Sequence, residues 1–332
     1  MKVKSRALTL AVALACLHAA TAAAQQKKPL LPSGYPTKPI RILVSNAPAG
    51  GLDIITRAIA AKLSERIGTS VVVDNQGGAS GSIALNSIAG STPDGYNILS
   101  TGGTTLINAV FGRFERDIRQ TLVPVGQMSS SYYYFVVPAT LPVGSFKEFV
   151  AYAKARPGKL SYGSNGVGSV IHLGMEMVEA GVGLDMEHIP YKGSGQTNID
   201  LAAGRLASGI VSISGLILVK AGKARMLATT MPQRNPDFPD VPTLAESGLP
   251  AFDLANTYIL YVPAQTPANI VAALNREIAQ VVSAPDLKEK FAADGAIAPP
   301  PYTPEQLRKN FVADYARWEG VIKRTGIKPE AD

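Results

Sequence analysis

The chain has 332 residues, 46% of them hydrophobic and 17% charged, with a formal net charge of +7. The length accommodates two domains of ordinary size, and the composition is that of a folded protein rather than a disordered one. Lys2, Lys4 and Arg6 supply three of those charges; the +4 beyond residue 24 is spread without a basic run, which argues against nucleic acid as a partner.

Residues 1–24 contain no acid and read as a secretory signal peptide: a basic start, an apolar run from Ala7 to Leu17, and the small-residue exit Ala22-Ala23-Ala24 before Gln25. The run is too short to span a bilayer. The only cysteine, Cys16, lies inside it, and Ala13-Leu14-Ala15 is not the usual sequence before a lipidated cysteine. Removal of this segment leaves an exported chain with no disulfide and no thiolate chemistry.

After a Pro- and Lys-rich leader, Ile40 to Val44 is β-branched and apolar and predicts a buried strand. Ser45 to Gly51 breaks the pattern as a glycine-rich loop, and the spacing of Ile54, Ile55, Ala58, Ile59 and Leu63 predicts a helix that Gly68 stops. A strand, a glycine loop and a helix in that order make a site for anions, with free N–H groups and the positive end of the helix dipole facing the loop. Val71 to Val73 is a second strand, Ser82 to Ile88 a helix, and Tyr96 to Leu99 a third strand running into the polar loop Ser100 to Thr105. Tyr132 to Val137 predicts a strand and Phe146 to Ala155 a helix. Leu160 to Tyr162 then leads into Ser164-Asn165-Gly166-Val167-Gly168-Ser169, a second glycine-rich loop before the helix Ile171 to Ala180. Strands follow at Met186 to Ile189, Gly209 to Ile213 and Lys223 to Thr229, with a helix over Asn198 to Ala203. Tyr258 to Val262 is a further strand, and three helices close the chain: Pro267 to Val282, Pro285 to Ala293, and one capped by Thr303 with Pro304 at its first position. This alternation of strands and helices predicts an α/β fold with parallel sheets covered by helices.

The chemistry is that of binding rather than catalysis. No G-x-S-x-G elbow occurs, and only His172 and His188 lie beyond residue 24, with no H-x-x-x-H pair for a metal. Gly166-Val167-Gly168 resembles a dinucleotide loop, but Ile171 stands where the third glycine belongs. No cofactor is expected. The polar, uncharged loops suit a carboxylate held by neutral donors. Asp53 reads as a cap shaping the first loop, and His172 as a partly buried residue supporting the second. Lys192 reads equally as a partner for a second carboxylate or as a solvated loop lysine.

Several segments resemble one family in series. They are Tyr35 to Arg41, Ala47-Pro48-Ala49-Gly50-Gly51 with Asp53, Val72 to Asn75, Pro93-Asp94-Gly95-Tyr96, Pro157-Gly158-Lys159-Leu160, Tyr162 to His172, Pro190-Tyr191-Lys192-Gly193, Ala221-Gly222-Lys223, Pro239 to Thr243 and Thr303-Pro304-Glu305. The chain is similar to the periplasmic substrate-binding proteins of tripartite tricarboxylate transporters, the Bug-type receptors. The resemblance implies a two-lobed periplasmic-binding-protein (Venus-flytrap, type II-like) α/β fold, each lobe a mostly parallel sheet covered by helices, with two interlobe crossovers. The lobes are expected to be residues 25–133 plus 257–332 and residues 134–256, and the chain a monomeric, non-enzymatic receptor in the periplasm; the resemblance implies that it passes a small carboxylate to membrane transporter subunits. A sensory partner of a membrane receptor, or an enzyme acting on small acids, is the alternative. The resemblance implies that the loop after the first strand and the loop Ser164 to Ser169 contribute from opposite lobes; with the polar loops read above, the candidate ligand-binding residues are Asn46, Ala49, Gly50 and Gly51; Thr101, Gly103 and Thr104; Ser164, Asn165, Gly166 and Ser169; and Lys192 and Gly193, with Asp53 and His172 supporting the loops. Asn46 stands where an aromatic residue is usual, Gln196 for a usual proline, Ala207 for a usual aspartate and Thr257 for a common tryptophan.

Overall fold

A computed structural model describes residues 31–328 except 79–80, 115 and 294, so the expected signal peptide and Cys16 lie outside the described residues. Strand β1 (Ile40–Val44) is buried at four of its five positions. It leads through the glycine loop into α1 (Gly51–Ile67), where Gly68, at φ 68°, turns its N–H back onto the Ser64 carbonyl. β2 (Val71–Asn75), α2 (Ser82–Ala89) and β3 (Asn97–Thr101) follow, and β1 pairs in parallel with both β2 and β3.

The next stretch differs from the sequence reading. The polar loop predicted over Ser100 to Thr105 already contains the start of a helix, α3 (Gly103–Val110). After the short α4 (Ile118–Thr121), the strand β4 (Leu122–Tyr132) runs for eleven residues where only its last was predicted. Pro124, Gly126 and Ser129 to Ser131 hide it, being poor strand formers. Its register against the returning strand slips at Pro124–Gly126, and the side-chain amide of Asn275 donates to the Val125 carbonyl at 3.1 Å, satisfying the backbone there.

The chain then crosses directly into a second sheet as β5 (Tyr134–Pro138). That sheet is completed by β6 (Ser161–Ser164), β7 (Glu187–Pro190), β8 (Ser208–Val211) and β9 (Ala224–Thr229). Its helices are α5 (Phe146–Lys154), α6 (Val170–Val182) and α7 (Ser194–Ala202), with a 3-10 turn (Ile213–Leu216) running into α8 (Ile217–Lys220). Strand β10 (Ala255–Pro263) returns to the first sheet, followed by α9 (Ala268–Val282), α10 (Pro285–Ala293), the short β11 (Ala296–Ile297) and α11 (Pro304–Thr325). The orders are β11-β4-β10-β3-β1-β2 and β7-β6-β8-β5-β9. This is the two-lobed architecture with two crossovers that the resemblance implies. The sheets are mixed, however, and not mostly parallel. Only β1 with its two neighbours and β6 with its two are parallel, because the strands that enter from the other sheet run against the βα units.

Helix α11 ties the two halves. Thr303 and Gln306 form a reciprocal capping box with Pro304 in the first turn. Phe311 and Tyr315 then pack among Leu43 and Leu99, whereas Trp318 and Val321 pack with Phe135, Phe146 and Phe149 of the second sheet.

Between β4 and β5, Tyr133 exchanges backbone hydrogen bonds with Thr230 in an unusual way. The Thr230 N–H donates to the Tyr133 carbonyl at 2.9 Å, and the Tyr133 N–H donates to the Thr230 hydroxyl oxygen, also at 2.9 Å. That hydroxyl donates in turn to the Leu254 carbonyl at 2.7 Å. Thr230 is fully buried. Replacing it by valine keeps the shape and removes both bonds, leaving a buried N–H without an acceptor. Thr230→Val is expected to lower stability by about 2–3 kcal/mol in urea unfolding, with Thr230→Ser losing much less.

Candidate ligand cleft between the two sheets

A cleft of about 860 Å³ opens between the sheets. Gly51, Ile54 and Ile55 of the first turn of α1 form one wall, and Ser131, Tyr132, Tyr133, Asn256 and Tyr258 of the crossover strands form the floor. The opposite wall is Asn165, Ser194, and the segment Ser212 to Lys220 with Phe238 behind it. Lys220 is the only charged side chain among the described lining residues, which include no acid.

The first loop is built from behind. Asp53 is buried, and its carboxylate accepts the Ala49 N–H at 2.9 Å and the Asn75 amide at 3.0 Å while pairing with Arg57 at 2.9 Å. Burial works against its charge, but these partners outweigh burial and hold the carboxyl below the usual range. Asn75 also donates to the Asn46 carbonyl, so one side chain ties the loop to its support. Ala49, at φ 63°, takes the left-handed conformation that this turn requires. Asn46, Ala49 and Gly50 are exposed on the loop, and Gly51 at its end reaches the cleft. Gly50 is the N-cap of α1, with no side-chain bond to the first amides.

The third loop is placed elsewhere. Thr101 is buried and accepts from the Ser45 hydroxyl at 2.9 Å. The Gly103 N–H donates to Asn256 Oδ1 at 3.1 Å, and Gly103 sits against Val170 of α6. Thr101 and Gly103 border a small void that extends to Trp318; Thr104 is exposed, and none of the three lines the cleft. The cause is the early start of α3, which turns these residues away behind β10.

In the second loop the exposed Asn165 lines the cleft, while Ser164 beside it is wholly buried. The Ser164 hydroxyl accepts the Gly166 N–H at 3.2 Å and lies 2.7 Å from His188 Nε2. Ser169 is the N-cap of α6, accepting the His172 N–H at 3.2 Å. His172 Nδ1 accepts the Gly168 N–H at 3.1 Å, which puts the ring proton on Nε2, 3.6 Å from Glu176. Lys192 is exposed and does not line the cleft; Gly193 next to it caps α7 without a side-chain bond, and Ser194 at the start of that helix does line it.

Beneath this loop the two histidines, sixteen residues apart, stack face to face at 3.8 Å, with Tyr162 stacked on His188 at 5.0 Å. The Tyr162 hydroxyl donates to Glu176 at 2.6 Å. Burial would raise Glu176, but His172 and Tyr162 outweigh it and hold the carboxylate below its ordinary value. Burial, then the neighbouring Glu176, pushes Glu179 up to about 7. Burial, then His172, pushes His188 down to about 4 from 6.5.

Sequence reasoning did not find Tyr132, Tyr133 and Phe238 as lining residues, nor the Ser212 to Lys220 segment. The spacing of Ile213, Leu216, Ile217 and Lys220 is helical and was the available signal against extending the strand to Ile213.

The depressed His188 value has a measurable consequence. Between about pH 4 and 6.5 the unfolded chain binds the proton that folded His188 refuses, so stability rises with pH across that window and is lost on acidification. His188→Phe keeps the stack and removes the titration. Wild type is expected to lose about 1–2 kcal/mol more than the variant between pH 6.5 and 4.5 in urea unfolding, and equal slopes would place the titration on another group.

Comparison with known proteins agrees with this geometry. A family model described as the tripartite tricarboxylate transporter family receptor matches residues 55–327. Protein BugT of Bordetella pertussis is 33% identical over 305 residues, which is 90% of this chain and 93% of that protein. A protein from the tcbD-tcbE intergenic region of Pseudomonas sp. strain P51 is 34% identical over 293 residues, 87% of this chain and 86% of that one. Among solved structures, an R. palustris protein with adipate is 32% identical with a TM-score of 0.73, covering 89% of this chain and all of that one (100%). A TctC solute binding protein from Polaromonas, without ligand, is 26% identical with a TM-score of 0.78, covering 87% and 99%. By these matches, and by its two sheets joined through two crossovers, the chain belongs to the tripartite tricarboxylate transporter receptor family.

Proposed function

We propose that this chain is a monomeric periplasmic receptor that closes two lobes on a small carboxylate and delivers it, without turnover, to the membrane subunits of a tripartite tricarboxylate-type transporter. Residues 1–24 act as the export signal, and the lobes are residues 25–133 with 257–332 and residues 134–256. The observation that carries the reading is the electrostatic character of the cleft. No carboxylate faces it among the described residues, Lys220 is its only lining charge, and two helices, α1 and α7, open onto it with glycine N-caps and unclaimed first-turn amides. Helices α2 and α3 also start at glycines, Gly81 and Gly102, which do not line the cleft, whereas α5, α6 and α11 are capped by the side chains of Ser145, Ser169 and Thr303. The R. palustris relative solved with adipate supports the ligand class.

The placing of Ser164 supports binding without turnover. Among the described residues it is the serine whose hydroxyl lies within hydrogen-bond range of a histidine ring, and it is wholly buried and already accepts the Gly166 N–H. The ligand shifts the balance between open and closed forms only by the contacts that it gains from the second wall. Asn165 and Ser194 make that wall, with Gly51 opposite; Ser164, Ser169 and His172 hold the loop in place, and Thr101, Gly103 and Thr104 take no part.

Thermal unfolding against adipate, malate, citrate and benzoate, with adipamide and benzamide as neutral controls, tests the reading. An acid at about a hundred times its dissociation constant is expected to add about 2.7 kcal/mol while its amide adds none. Acids and amides acting alike, or neither acting on the refolded protein, would overturn it. Ser194→Pro tests the helix amide. Proline is tolerated at the first helical position and Gly193 before it is extended, so the fold survives, but one N–H is lost. Acid affinity is expected to fall about tenfold beyond the effect of Ser194→Ala, which loses the hydroxyl alone.

A further inference from the structure

The cleft is divided in character. Gly51, Asn165 and Ser194 bring amides and polar side chains to its two walls and Ser131, Tyr132, Asn256 and Tyr258 line its floor, whereas Ile54, Ile213, Leu216, Ile217 and Phe238 present apolar surface. Two of these are exposed, Ile54 at 41% and Ile217 at 67%. They lie on different sheets' segments and line the same cleft, unlike Val72, Ile83 and Val312, which are exposed outside it. Isolated exposed apolar side chains are ordinary, but a concave apolar surface facing across a cleft gains only from an apolar occupant.

The segment that carries much of this surface is shaped to do so. Gly215 packs so closely on Val211 that a Cβ there would lie 2.6 Å from the valine Cβ, so the 3-10 turn folds back tightly on β8. Ile213 is seated against Gly295 from the first sheet's side, where a Cβ would meet it at 2.4 Å. Ile217 and Lys220 then stand three residues apart on one helical turn and share a face. Lys220, the one cation among the described lining residues, therefore adjoins the apolar surface, and it has no ion pair among the described residues.

We propose that the cleft selects dicarboxylates whose acidic ends are separated by an apolar body, an aliphatic chain or a ring. The body lies on Ile54, Ile213, Leu216, Ile217 and Phe238, one carboxylate meets the amides at α1 and α7, and Lys220 takes the other. This rests on the carboxylate-receptor reading above and adds the class of acid. A short hydroxylated acid such as malate or citrate leaves the apolar surface wet. A monocarboxylate of the same length covers the surface and leaves Lys220 unmatched.

Isothermal titration of the refolded protein with hexanedioate, hexanoate, malate and citrate separates these outcomes. Hexanedioate is expected to bind about tenfold or more tightly than each of the other three. Ile217→Asn, at an exposed position that leaves the fold intact by circular dichroism, should reduce the preference for hexanedioate over malate about tenfold. Lys220→Met should reduce the preference for hexanedioate over hexanoate to about one. Malate or citrate binding as tightly as hexanedioate would overturn the apolar specificity and leave the carboxylate reading standing. A hexanedioate-to-hexanoate ratio unchanged by Lys220→Met would overturn the role of the lysine. No binding by any of the four acids to folded protein would overturn both this proposal and the reading beneath it.

Discussion

Everything that the cleft does depends on how two strands cross from one sheet to the other without leaving buried backbone unpaired. β4 and β10 pair up to Tyr132 and Ala255, and β5 and β9 pair from Tyr134 and Thr229 onward. Between them lies one residue of the outgoing strand, Tyr133, and on the return strand a break, since residues 231–254 leave and come back. Thr230 closes that break. Its backbone bonds Tyr133 and Leu254, and its hydroxyl accepts from one and donates to the other. A hydroxyl is the smallest group that does both, and an orphaned peptide group at this depth would be costly. The crossing is thus a two-stranded ribbon whose break is bridged by the hydrogen bonds of Thr230.

A ribbon alone would let the sheets drift, and α11 limits the drift. Its first turns belong to the core around Leu43 and its later turns to the core around Phe135. Small residues let the halves approach where they meet. Phe111 lies over Gly168, and Val170 over Gly103, so that the loop carrying Asn165 is braced by α3. The consequence for the site is division of labour. α3 and its glycines hold the second loop from outside, and the cleft surface is left to α1, α7 and the turn before α8.

This division explains what the sequence could and could not disclose. Strand β1, the glycine stop at Gly68, and the Thr303–Pro304 start of α11 are local signals, each set by residues within a few positions, and they are readable directly. β4 is not, because Pro124 and the serines reduce its strand propensity while Asn275 and β10, more than a hundred residues away, supply the compensation. The glycine and serine loops look alike in one dimension. Only the structure shows that Gly51 and Asn165 open onto the cleft while Thr101 and Gly103 are turned inward by an early helix. The pairing of His172 with His188 is likewise invisible, since it depends on β6 and β7 being parallel neighbours beside the start of α6.

The stacked rings and the serines beside them order the second loop from behind. A loop rich in glycine is free to take many conformations, and a ligand that had to order it would lose affinity to the entropy of doing so. Ser164 fixes Gly166, His172 fixes Gly168, and Ser169 fixes the first turn of α6, so three side chains hold the backbone on which Asn165 is presented. Asp53, Asn75 and Arg57 do the same for the first loop, with the acid's charge balanced by the arginine rather than offered to the cleft. A neutral, pre-ordered set of donors with a single lysine beside an apolar wall follows from that arrangement. Charge is kept behind the first loop, where Asp53 and Arg57 order it, and the surface in front joins polar groups to apolar side chains.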